Sequence, residues 1–129
     1  MEIQRLRILG PDSGKPALDI APIISLANVH ENIVYVSGLT ADPAQPGDIR
    51  DQTRQALERI DKVLTFAGTS KSKLLTAQVW LTDMSLFEQH NSVWNTWVDP
   101  QNPPVRMCVL SPQLWHRGLL VEIMVTAAK

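Results

Sequence analysis

Arg106 stands in Pro104-Val105-Arg106-Met107-Cys108-Val109, where it is the single charge. A guanidinium is planar and presents parallel N–H donors, so it can grip a carboxylate and fix its orientation. In apolar surroundings such a cation needs a partner. The plainer alternatives are a structural salt bridge or a solvated strand-end arginine. Glu122 is a second charge in an apolar run, Leu119-Leu120-Val121-Glu122-Ile123-Met124-Val125. Burial would raise its pKa and a nearby arginine would lower it. A carboxylate tuned in this way can position or deprotonate an attacking water. Its plainer readings are an outward-facing residue on an edge strand and an ion-pair partner for Arg106.

Four further residues stand close to these in the pattern. Cys108 invites a nucleophile reading, but no histidine is motif-linked to it, and a free cysteine usually behaves as a small buried apolar residue. Asn91 shares a helix face with Phe87 and Trp94; bonding the local backbone is its alternative role. Ser37 and Gly38 end a strand, where a glycine permits close approach of a ligand or a neighbouring chain, or simply makes a turn. His30, His90 and His116 are scattered without metal-ligand spacing and read as surface or structural. Trp94 and Trp97 lie three apart, which points to core packing or a subunit contact. Base stacking by the tryptophans would call for a basic groove, which the sequence lacks.

The elements that must carry these residues follow from periodicity. Residues 2–8 read as a strand, and a Gly-, Pro- and Asp-rich loop follows over 10–15. Segments 23–29 and 33–37 read as two strands of a hairpin joined by His30-Glu31-Asn32. Residues 41–47 carry loop chemistry. A helix starts at the N-cap Asp48. It places Ile49, Ala56, Leu57, Ile60, Val63, Leu64 and Ala67 on one face and closes at Gly68. The next strand is Leu74–Leu81, with Leu75, Ala77, Val79 and Leu81 on one face. A second helix begins at Ser85, which forms a capping-box pattern with Glu88, and ends before Pro100, Pro103 and Pro104. Strands Val105–Leu110 and 119–127 finish the chain. The order β-β-β-α-β-α-β-β predicts an α+β mixed sheet with both helices on one face. The other face would expose apolar residues, and self-association is the natural cover.

The chain of 129 residues suits one domain, 1–129. Twelve basic and thirteen acidic residues nearly cancel, which leaves no electrostatic footprint for nucleic acid or an anionic membrane. No apolar run approaches a membrane span, and the N-terminus lacks an apolar signal core. The single cysteine excludes an internal disulfide and a cysteine-cluster metal site, so a reducing, cytoplasmic setting is the simplest reading.

Several segments in order resemble the Rid (YjgF-like) family of imine/enamine deaminases. They are Val34-Tyr35-Val36-Ser37-Gly38; Asp51-Gln52-Thr53-Arg54-Gln55-Ala56-Leu57 through Ala67-Gly68; Leu81-Thr82-Asp83-Met84 with Phe87 and Asn91; Pro104 through Val109; and Leu120-Val121-Glu122-Ile123. The tryptophan-rich second helix and the Pro-Val-Arg segment are most similar to the YoaB-like branch. The resemblance implies a chorismate-mutase-like fold, a homotrimeric barrel and clefts between subunits. It also implies hydrolysis of 2-imino or 2-enamino acids to 2-oxo acids and ammonia, without a metal or organic cofactor. Arg106 and the Cys108 backbone would hold the substrate carboxylate and Glu122 the water, while Ser37, Gly38 and Asn91 would line the cleft. One departure stands out: Ile24, in Pro22-Ile23-Ile24-Ser25-Leu26, occupies the place of the family's tyrosine. It leaves open a non-enzymatic trimeric module that binds 2-oxo acids or other small carboxylates. A ribonuclease reading runs against the charge balance, and a hydrolase for another imine or carbamate-like bond is a further alternative.

Overall fold

Eight main elements appear in the expected order in the computed structural model, which describes residues 1–7 and 22–129. The loop expected over 10–15 lies outside the described residues. The strands are β1 (Ile3–Leu6), β2 (Ala27–His30), β3 (Ile33–Val36), β4 (Leu74–Leu81), β5 (Val105–Leu110) and β6 (Val121–Ala128), and the helices are α1 (Ile49–Phe66) and α2 (Phe87–Trp97). One six-stranded sheet runs β1-β2-β3-β6-β4-β5. Among the described residues only β4 and β5 pair in parallel. A parallel neighbour needs a crossover connection, and α2 supplies it.

α1 is fixed at both ends by its sequence. Asp48 accepts from the Asp51 N–H while the Asp51 carboxylate accepts from the Asp48 N–H, a complete capping box. At the other end Gly68 takes φ +86°. Its N–H donates to the Thr65 carbonyl and that of Thr69 donates to Leu64, the pairing of a Schellman cap. The seven expected apolar positions of α1 and its C-cap are all buried, packed between the sheet and α2. Each large one, such as Leu57, Ile60 or Leu64, contributes about 1.5–3 kcal/mol by leaving water.

Three local expectations are corrected. The strand expected from residue 23 begins at Ala27, because β1 offers only Ile3–Leu6 as a partner; Ile23 and Ile24 are exposed before it. The Ser85/Glu88 box does not form. Asp83 caps a 3-10 turn at Met84–Leu86 by accepting from the Ser85 N–H, and α2 starts only at Phe87. In β4 a register shift between Leu74 and Thr76 turns Leu75 outward and puts Leu74 in the core with Ala77, Val79 and Leu81.

The sheet has two distinct faces. Val34, Val36, Ala77, Val79, Leu81, Val121, Ile123 and Val125 are buried on the helix side. The opposite face carries no element of this chain among the described residues. Tyr35, Met107, Val109 and Met124 stand exposed there. A Thr76–Thr126 hydroxyl bond of 2.6 Å crosses the same face.

Candidate functional site

Strand alternation decides where Arg106 and Glu122 point. Arg106 is opposite Ala77 and Cys108 opposite Val79, so both side chains leave β5 on the helix side. Glu122 is opposite Trp80, between the buried Val121 and Ile123, so it leaves β6 on the open face. β4 runs between them. The two groups therefore sit on opposite faces and roughly 10 Å apart across the strands. Within one chain the structure does not bring them together, and they form no ion pair.

The Arg106 half is built by β5 and α2. The guanidinium Nη2 donates to Asn91 Oδ1 at 2.8 Å, and Nη1 lies 3.4 Å from His90 Nε2. Its carbon stands 5.0 Å from the centre of the Trp94 ring and 5.9 Å from that of Phe87. Both rings are placed to attract the cation through their faces. Every partner is neutral, and among the described residues no carboxylate lies within ion-pair distance. Burial lowers the Arg106 pKa from its ordinary value. The result is a half-buried cation with spare donors and no counter-ion, an arrangement suited to an anion.

The backbone next to Arg106 adds to this half. Ser111 donates its N–H to the Leu81 carbonyl at 2.8 Å, towards β4. Alternation then turns the amides of Cys108 and Arg106 to the free edge of β5. Burial pushes the Cys108 thiol up, with Arg106 opposing it. A raised pKa argues against a thiolate nucleophile.

The Glu122 half lies where β3 leaves the sheet. Leu39 returns to bridge with Ile123, so the chain at Gly38 passes directly against the Glu122 side chain. A Cβ on Gly38 would stand 2.9 Å from Glu122 Oε2, which accounts for the glycine. Ser37, Gly38, Glu122, Ile24 and Trp115 share a cavity of about 280 Å³. Among the described residues the Glu122 carboxylate has no side-chain partner, and burial alone raises its pKa. A larger hollow of about 460 Å³ lies beyond Trp115, where Glu58, Arg59 and Lys62 mix charges of both signs.

The site residues picked from sequence thus divide into two groups: Arg106, Cys108 and Asn91 in one, Glu122, Ser37 and Gly38 in the other. Sequence spacing does not pick out His90 or Thr53 for the site. His90 is fully buried behind Arg106, with Nδ1 3.0 Å from Thr53 Oγ1. Its position beside Asn91 on one helix is the available signal. Among the described residues no cluster of three or more His, Cys, Asp or Glu could hold a metal ion, and no helix is long and apolar enough to cross a membrane.

Residues 19–129 match the family model described as Endoribonuclease L-PSP. A RutC family protein of Haemophilus influenzae is 36% identical over 107 residues, 81% of this chain and 89% of the relative. The RutC family protein YoaB of Escherichia coli K12 is 34% identical over 78% of this chain and 85% of its own length. Among solved structures, a YjgF-family member from Neisseria meningitidis superposes with a TM-score of 0.83 at 29% identity, covering all of this chain and 96% of the other.

Proposed function

The chain belongs to the YjgF (Rid) family, in its YoaB-like branch, with that family's chorismate-mutase-like α+β fold, and from this premise we propose that it hydrolyses 2-imino acids, or their enamine tautomers, to 2-oxo acids and ammonia. The observation that carries the reading is the Arg106 guanidinium, held by neutral groups alone and still in need of an anion. A substrate carboxylate supplies that anion, gripped by Arg106 with the Cys108 amide on the adjacent strand edge.

Glu122 of the same chain stands on the other side of the sheet, so the cleft is completed by a second copy. That copy brings its open sheet face, with Glu122, Ser37 and Gly38, to the β5 edge of the first. A closed ring of three such contacts makes a homotrimer and covers Met107, Val109 and Met124.

In this cleft Glu122 takes a proton from water as the water oxygen bonds to the imine carbon. It returns the proton to the nitrogen of the tetrahedral adduct. Glu122 then takes the hydroxyl proton and passes it to the nitrogen as the C–N bond breaks, so that ammonia leaves and the carbonyl forms. A raised pKa makes the carboxylate a stronger base for taking the proton from water. Fixing the carboxylate aligns the imine carbon with the water. Ile24 and Trp115, beside Glu122, favour an apolar substrate side chain. No cofactor enters this scheme, and the enzyme would act in the cytoplasm.

The test generates 2-iminobutanoate in situ and follows its decay against a semicarbazide trap. The unaltered protein should accelerate decay, and Arg106→Ala should lose roughly a hundredfold of kcat/KM, the worth of a charge-assisted paired contact. An unchanged Arg106→Ala would remove the proposed role. Ile24 at the tyrosine position favours a second reading, a carboxylate-binding module, which predicts calorimetric binding of 2-oxobutanoate without imine turnover.

A further inference from the structure

We propose that His90 is a positioning residue for this carboxylate site, acting through Arg106, with its ring anchored by Thr53. The inference rests on the reading of Arg106 as the carboxylate anchor. It starts from donor inventory. An arginine can only donate, so the His90 Nε2 facing Nη1 at 3.4 Å must present its lone pair. The ring proton is then on Nδ1, which faces Thr53 Oγ1 at 3.0 Å. The hydroxyl accepts that proton and anchors the ring beside the cation. His90 and Thr53 are both fully buried, which shields the ring from bulk water.

The arrangement joins three elements. Thr53 is on α1, His90 on α2 and Arg106 on β5. The contact of 3.4 Å is long for a hydrogen bond and orients more than it binds. Burial, reinforced by the Arg106 charge, lowers the His90 pKa to about 4, so the ring is neutral at physiological pH. A neutral support leaves the guanidinium charge uncompensated for the ligand. Without the hydroxyl the ring loses its anchor and no longer holds the guanidinium in its place over Trp94.

Imidazole ¹⁵N NMR on the unaltered protein reads the tautomer directly, and a proton on Nδ1 is expected. Thr53→Val should weaken 2-oxobutanoate binding by roughly tenfold in calorimetry. In the imine assay it should raise KM with kcat held within about twofold, the signature of lost uniform binding. Thr53→Ser, which keeps the acceptor, should restore both. An Nε2-protonated ring, or a folded Thr53→Val with unchanged Kd and KM, would overturn the proposal. So would a fall in kcat and melting temperature alone, which marks a merely structural role. Binding that responds to Thr53 in a protein without imine turnover would sink the deaminase reading and leave the positioning role standing. A protein that binds no carboxylate would sink both.

Discussion

Neutral ligation of Arg106 makes a specific demand on Asn91. Its Oδ1 accepts from Nη2 at 2.8 Å without adding charge. Asn91→Asp keeps the shape and the hydrogen bond but installs a permanent counter-ion. The guanidinium should stay in place while calorimetric affinity for 2-oxobutanoate falls roughly tenfold or more. Equal affinity in Asn91→Asp would mean that the cation does not hold the ligand. His90 makes a second demand, on stability. Its folded pKa, about 4, lies below the ordinary 6.5, so the folded state binds fewer protons than the unfolded one. That stability is intact above pH 6.5 and is lost as pH falls towards 4. The loss approaches about 3 kcal/mol over this window. Urea unfolding across the pH range should show it, and His90→Gln should flatten the slope in that interval. Arg106 and Glu122 stood out in the sequence as candidates because charge inside apolar runs is rare, and the family resemblance gave them their proposed roles. His90 was not, because its partners come from another helix and from a strand edge whose register the sequence does not state.

Among the elements, the segment that delivers Glu122 depends on a buried amide in α1. Gln52 donates from Nε2 to the carbonyls of Gly47, at 3.1 Å, and Gly118, at 2.9 Å, and its Oε1 accepts from the Leu120 N–H at 2.8 Å. It ties the loop before β6, which carries Trp115, to the helix start. Gln52→Ala would strand a buried donor and two carbonyls and should cost about 3 kcal/mol. Hydrogen exchange at Leu120 should quicken more than at Val125, deeper in β6. Unchanged Leu120 protection would rule out this tie. α1 itself was readable to its caps, since its apolar spacing, Asp48 and Gly68 all agree. The start of α2 and the outward Leu75 were not. Asp83 competes with Ser85 for the same first turn, and a bulge moves one residue without any mark in composition.

At the scale of the molecule, charge balance and the β-β-β-α-β-α-β-β order were enough to foresee a mixed sheet bare on one side. What pattern alone could not reveal is that the two charged candidates leave that sheet in opposite directions. This geometry allows genetic complementation. Arg106→Ala and Glu122→Ala should each keep only about a hundredth of the activity as pure assemblies. If the proposed trimer holds, unfolding them together and reassembling at equal amounts should form hybrid rings in which one junction in three has both residues intact. Random assortment should then return about one quarter of unaltered activity from two nearly inactive parents. A chain that supplied both groups to its own pocket would return none.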